Sequence, residues 1–366
     1  MLKLIHITEG LRIFRRSLRV KRKGTKKYKG KAQDICNKIV KDCWNGTYFQ
    51  TSTGHFCEFW TRDFGWCTEP LIKLRYKDKV KKTLEYALER FSRYNQITTT
   101  ISPKGIPFDF PDYAPGSLVY LIRSLRLLGS KILVKKYQDF LNSEIHKFHN
   151  IVLDKETGLV RKDKHFSSIK DHALRTSSCY DNIMVAMLNN ELRKINILDN
   201  PLKHYNFKKI IKDTFWTGTH FIDELSGVDL ITGDANVFPF WSLVFTSKKM
   251  LKSAIETIRE YELDKPFPLR YYHEKTNNQE MRSLEILAPN YERNTVWMHM
   301  GPLYINLVTT VNKNLAQEYI VQYTDVIEHY KNYLELFNPD GTPFKSRFYY
   351  ADEGMLWASL FLNIKN

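Results

Sequence analysis

The segment Phe59-Trp60-Thr61-Arg62-Asp63-Phe64-Gly65-Trp66 sets a guanidinium beside a carboxylate and brackets the pair with two indoles. Such a charged pair holds hydroxyl groups through charge-assisted hydrogen bonds, and indole faces stack on the apolar faces of sugar rings. A buried ion pair with packing tryptophans has the same composition. Further along, Lys170-Asp171-His172-Ala173-Leu174-Arg175 precedes Tyr180-Asp181-Asn182-Ile183-Met184. Asp181 opens a predicted helix, where an acid favours the dipole. Asp171 has no such role, although a lone loop aspartate is more often simply solvated. In Thr232-Gly233-Asp234-Ala235-Asn236, again at a helix start, Asp234 or Asn236 reads as a cap. The stretch Tyr291-Glu292-Arg293-Asn294-Thr295-Val296-Trp297-Met298-His299 places Arg293, Trp297 and His299 ahead of an apolar helix. Last comes Glu335-Leu336-Phe337-Asn338-Pro339-Asp340-Gly341, with Trp357 beyond it. Glu335 is expected at a helix end, where negative charge opposes the dipole, ahead of a tight Asn-Pro-Asp-Gly turn. A carboxylate held against the local field is a better candidate for chemistry than one that caps.

The elements that must position these residues are helical. Apolar residues recur mostly at helical spacing. The pattern predicts helices over 32–43, 68–76, 79–94, 117–128, 131–149, 178–195, 207–215, 237–245, 248–261, 296–311, 315–336 and 354–364. Strand signals are few and short. Six helical hairpins can ring a centre, one helix of each pair inside, so that every helix buries its stripe. An open solenoid should show a repeat at fixed period, and none is visible. The expected fold is all-α, an (α/α)6 toroid formed by residues 32–366 as one domain, preceded by a basic arm over residues 1–31.

Composition sets the remaining bounds. Hydrophobic residues make up 43% of 366, enough for a large core, and the 14% aromatic content suits a pocket that stacks on sugars. The net charge is +16; residues 1–31 hold twelve Lys and Arg against the single acid Glu9, so about +11 of it lies there. That arm reads as a solvated tail or packing arm, or as a contact with an anionic surface. No apolar run has the length of a membrane span, and the start has no signal-peptide pattern. The five cysteines, an odd number without a Cys-x-x-Cys pair, argue against a metal knuckle or disulfide framework and for reduced thiols in a cytoplasm.

The order of these motifs resembles that of the six-hairpin toroid glycosidases: glucoamylase, trehalase, neutral invertase, the amylo-1,6-glucosidase part of debranching enzyme and processing glucosidase I. The resemblance spans about residues 55–364. Trp60-Thr61-Arg62-Asp63 looks like the family's early pocket segment, and Asp171 with Tyr180-Asp181-Asn182 like its mid-chain acid and following helix. Arg293-Asn294-Thr295-Val296-Trp297 is similar to an Arg-Gly-x-Val-Trp segment, with Asn294 where many members have Gly. Glu335 to Gly341 with Trp357 matches the closing motif, the most specific of the set. The resemblance implies that Asp171 is a general acid and Glu335 a general base, with Asp181 the alternative acid. It implies a saccharide pocket drawing on Trp60, Arg62, Asp63, Trp66, Arg175, Arg293, Trp297, His299 and Trp357.

The implied reaction is inverting hydrolysis of an α-linked glucoside or related short saccharide. It requires the two carboxyls about 6.5–9.5 Å apart with water between them, and no metal or organic cofactor. Two other readings stay open: a non-catalytic carbohydrate-binding or scaffold toroid, and a lyase or epimerase on the same fold with His299 or Tyr291 as base.

Overall fold

Two kinds of helix alternate along the chain. Some carry one apolar stripe, as Val80, Leu84, Ala87, Leu88 and Phe91 do on Lys77–Arg93, and need a neighbour on one side only. Others are buried almost all round, as Pro115–Leu128 and Cys179–Ile195 are, and must lie inside. The computed structural model describes residues 4–227, 230–273 and 281–364. Among these the helices are α1 (Leu4–Lys23), α2 (Ala32–Asp42), α3 (Thr61–Lys73), α4 (Lys77–Arg93), α5 (Pro115–Leu128), α6 (Lys131–Lys136) and α7 (Gln138–Val152). They continue with α8 (Cys179–Ile195), α9 (Phe207–Phe215), α10 (Gly233–Trp241), α11 (Lys248–Glu260), α12 (Met300–Thr309), α13 (Lys313–Tyr330) and α14 (Ala358–Phe361).

The inner helices close a ring: α3 packs on α5, α5 on α8, α8 on α10, α10 on α12, α12 on α14, and α14 back on α3. Outside them, α4 lies on α3 and α5, α7 on α5, α9 on α8, α11 on α10 and α13 on α12, while α2 seals the join against α13 and α14. This is the (α/α)6 toroid. Close approach within the ring is set by small residues. A Cβ on Gly65 of α3 would collide with the Tyr120 side chain of α5.

Short strands at one end of the ring carry site segments. Among the described residues, β1 (Phe59–Trp60), β2 (Thr100–Ile101) and β3 (Pro107–Phe108) form an antiparallel sheet in that order. β4 (Val296–Trp297) pairs antiparallel with β5 (Leu336–Phe337), Trp297 opposite Leu336.

Several boundaries differ from the sequence expectation where helix and strand share one apolar run. The helix expected over 68–76 begins at Thr61, so Arg62, Asp63 and Trp66 stand on its first turns. The helix expected over 131–149 breaks at Tyr137 into α6 and α7. The run 296–311 opens on strand β4, and the run 315–336 leaves the helix at Tyr330 and ends on the first residue of β5. Glu335 therefore does not oppose a helix dipole. α13 ends at Tyr330, with Lys331 left-handed, and Glu335 stands outside any helix, immediately before β5. The basic stretch contains the 20-residue helix α1; residues 1–3 lie outside the described residues. No helix among them is long and apolar enough to cross a membrane.

Candidate active site

Asp171 and Glu335, far apart in sequence, line one cavity of about 390 Å³ together with Trp60, Arg62, Asp63, Trp297 and Trp357. The loop bearing Asp171 is fixed from behind. Lys170, fully buried, places Nζ 3.3 Å from Asp223 and 2.9 Å from Asp234, and Arg175 reaches the same two carboxylates at 3.3 and 3.0 Å. Burial pushes the Asp223 carboxyl up, and Lys170 and Arg175 more than offset this, so it lies below the ordinary carboxylate range. In front, Glu292 accepts the backbone N–H groups of Asp171 at 2.7 Å, His172 at 2.6 Å and Ala173 at 3.3 Å. The Tyr271 hydroxyl donates to the Ile169 carbonyl at 2.9 Å, and Arg62 donates to that of Ser168. Backbone rather than side chain thus holds Asp171, and its carboxylate is left to Arg62 Nη2 at 3.2 Å. Burial drives the Asp171 carboxyl up, Arg62 pulls it down and Glu292 adds to the rise, leaving it at about 6.

Glu335 sits in a harder environment. The Tyr291 and Tyr349 hydroxyls donate to it, the latter at 2.7 Å, and so does the Asp352 N–H at 2.9 Å. These three donors favour the carboxylate. Burial, and then the charge of Asp352, outweigh them and push Glu335 up to about 8. Asp352 is itself held by the Ser52 hydroxyl and by the N–H groups of His55 at 2.8 Å and Phe56 at 2.9 Å. Gly54 permits this loop to close on it, because a Cβ there would collide with Asp352 Oδ1.

Asp63 faces the cavity from α3 and accepts the Trp357 indole N–H at 2.9 Å. Burial raises its carboxyl to about 6, against Arg62 and the indole. Trp60 lines the wall, its indole nitrogen buried and without a hydrogen-bond partner among the described residues.

The other sequence candidates do not reach the cavity. Asp181 lies at the start of α8 and spends both oxygens on Ser168, at 2.9 Å, and Ser178, at 2.6 Å, whose side chain in turn caps the Asp181 N–H. Arg175 belongs to the buried ion cluster. Arg293 pairs with Glu285 at 3.3 Å. His299 stacks flat on Trp66, ring centres 4.4 Å apart, and burial followed by the charge of Arg62 keeps it neutral. This pair packs beneath the floor, and Trp66 donates its N–H to the Tyr120 hydroxyl at 2.7 Å.

Sequence reasoning left out Glu292, Tyr349, Asp352 and His55, and the wall supplied by His6, Ile7, Glu9, Gly10, Leu11 and Phe14 of α1. Two acids adjoining quoted motifs, Glu292 before Arg293 and Asp352 ahead of Trp357, were available as a signal. Nothing in the sequence tied α1 to a pocket.

No family model and no curated protein matches the chain. Solved structures do. A glycosidase variant in complex with glucose aligns at TM-score 0.65 and 9% identity over 90% of this chain and 93% of its own. The mannosylglycerate hydrolase of Thermus thermophilus in complex with Tris and D-glycerate gives TM-score 0.62 and 10% identity over 90% and 99%. A rhamnosidase from Klebsiella oxytoca with rhamnose bound gives 0.60 and 9% over 91% of this chain, which spans 63% of that one. By architecture, therefore, the chain has the (α/α)6 toroid fold of the six-hairpin glycosidases.

Proposed function

We propose that the protein is a glycoside hydrolase acting on a short saccharide at the cavity between Asp171 and Glu335. The observation that carries this reading is the joint one: two buried carboxyls, both raised above their ordinary range, share a cavity with three tryptophans and an Arg-Asp pair. Glycosidic cleavage needs one carboxyl that carries a proton to the leaving oxygen and one that works on the other side of the sugar ring. Glycosidases on the same fold support the assignment. A cavity of about 390 Å³ lies in the lower part of the range for small-ligand pockets and suits a sugar or two.

In this reading Arg62 and Asp63 bind hydroxyls, Trp60, Trp297 and Trp357 pack against the ring, Asp171 is the general acid and Glu335 draws a proton from water. The three donors on Glu335 orient its carboxylate, and its high proton affinity makes it a strong base. The substrate is an α-linked glucoside or a related glycoside, and the outcome is inversion. The five cysteines are free and buried, which fits a reducing compartment such as the cytoplasm.

One observation favours a second arrangement on the same site. Glu335, at about 8, holds its proton more tightly than Asp171, at about 6, which suits Glu335 as acid and Asp171 as base.

The test is hydrolysis of trehalose, sucrose, maltose, isomaltose, glucosylglycerate and mannosylglycerate, with the released anomer followed by NMR. Turnover of one of them, lost in Glu335→Gln and giving the inverted anomer first, is expected. A retained anomer removes inversion. A folded protein that cleaves no glycoside and whose melting temperature no sugar shifts removes the reading.

A further inference from the structure

Helix α1 is held down by its inner face. Arg12 pairs with Glu58 and with Glu9 at 2.8 Å, and donates to the His55 carbonyl at 2.7 Å. The Tyr350 N–H donates to the Ser17 hydroxyl at 2.7 Å, His6 Nε2 lies 2.7 Å from the Asp109 carbonyl, and Lys21 reaches the carbonyls of Ser346 and Arg347.

The opposite face has a different chemistry. Residues 4, 7, 11, 15, 19 and 22 follow one another at helical spacing and form a single outward stripe. Its first half is apolar: Leu4 is 77% exposed, Ile7 51% and Leu11 54%. Its second half is Arg15, Arg19 and Arg22, all exposed, with Lys23 beside them. Ile7 and Leu11 also line the cavity, and so does Leu287, whose neighbour Ile286 is 73% exposed. Exposed aliphatic side chains thus border the cavity and continue along α1 into a row of arginines.

Apolar surface of this kind marks an interaction site, and the charge chooses among occupants. A second copy paired symmetrically through this stripe would set arginine against arginine with the helices parallel, or guanidinium against aliphatic side chains with them antiparallel, and leave the charge without a partner either way. A nucleic acid backbone would satisfy the arginines and leave the aliphatic half against phosphate and water. An anionic bilayer answers both halves, taking aliphatic side chains into the boundary between headgroup and acyl chain and guanidinium groups against headgroup phosphate.

We propose that α1 docks the protein on an anionic lipid bilayer. The interaction requires no particular chemistry in the cavity and stands apart from the glycosidase reading.

The experiment is sedimentation of the full chain with vesicles of phosphatidylcholine alone or containing phosphatidylglycerol. Binding to the phosphatidylglycerol vesicles only, weakening as salt rises, is expected. Replacing Arg15, Arg19 and Arg22 by Gln should lower the affinity at least about tenfold. Leu4→Ser with Ile286→Ser should lower it as well, although the charge is unchanged. Circular dichroism establishes that each variant is folded. Equal sedimentation with both vesicle types, or none with either, overturns the proposal. So does full binding by the Leu4 and Ile286 variant, which would reduce the contact to a polyanion site.

Discussion

Tyr349 donates its hydroxyl to Glu335 across 2.7 Å while His55 Nε2 lies 2.9 Å from the same hydroxyl oxygen. On the far side of that imidazole, Nδ1 lies 3.1 Å from Asp352 Oδ1. Tyr349 therefore tunes Glu335 from a fixed position, and its removal has a measurable signature. With Glu335 near 8 and Asp171 near 6, kcat/KM follows a bell with limbs at about those values. Tyr349→Phe removes a hydrogen bond that favours the ionised carboxylate, an effect of about 1.5 kcal/mol or one pH unit. The alkaline limb should move up by about that much and the acid limb should stay. A profile that only scales down would give Tyr349 no part in setting the proton affinity of Glu335.

The two assignments of acid and base separate with a glycosyl fluoride, a substrate whose leaving group needs no proton. If Asp171 is the acid, Asp171→Asn keeps turnover of the fluoride while losing about 10³-fold on the natural glycoside. Its remaining profile rises through about 8 as Glu335 ionises. If the roles are exchanged, it is Glu335→Gln that keeps fluoride turnover, and Asp171→Asn is inactive on both.

Glu335 has a stability cost with a defined pH window. A carboxyl raised on folding binds its proton more tightly folded than unfolded. Nothing is lost below the unfolded value near 4.5, and the penalty grows until pH passes about 8. Glu335→Gln, which mimics the neutral acid, should match the parent in melting temperature near pH 4 and exceed it above pH 8. The gain is about 3 kcal/mol, discounted for the donors that Gln satisfies less well. Melting curves across that range, with an equal gain at both ends, would contradict the burial of a proton-binding carboxyl.

Arg12 of α1 compensates Glu58, which is 1% exposed. Arg12→Gln leaves that charge buried without its cation and should cost about 2–3 kcal/mol. Adding Glu58→Gln to the same chain should restore most of it. Denaturant titration of the two variants measures the difference. Equal stabilities would show that the pair does not hold α1 down.

The sequence made the fold legible because the ring repeats one demand. Inner helices such as α5 and α12 carry apolar residues on every side, outer ones such as α4 and α11 a single stripe, and the alternation survives without knowledge of the neighbours. The bounds of Phe207–Phe215 are legible to the residue because Asn206 caps it and its apolar positions are unambiguous. Where a strand abuts a helix the pattern fails. Val296 and Trp297 are apolar enough for either, and the pairing with β5 that decides the matter lies far away in sequence.

The site was legible in part for a similar reason. Asp171 stands out because no local structure needs it, and it lines the cavity with Glu335. Asp181 offered the same residue type with a local purpose, and its two serines claim it. The geometry of the site also needs Glu292 and Asp352, which act on backbone amides. Such a role leaves no pattern of spacing, since an amide is present at almost every position.

The ring has a further consequence, in time rather than space. Its join is made by α14 against α3 and by α2 against α13 and α14, elements from opposite ends of the described chain. During synthesis the inner helices α5, α8 and α10 leave the ribosome long before the helices that finish their enclosure, each apolar on all sides and covered on only some. A nascent chain of this design holds sticky surface for most of its elongation. It should rely on a holding chaperone until translation has passed Glu335 and the final helix.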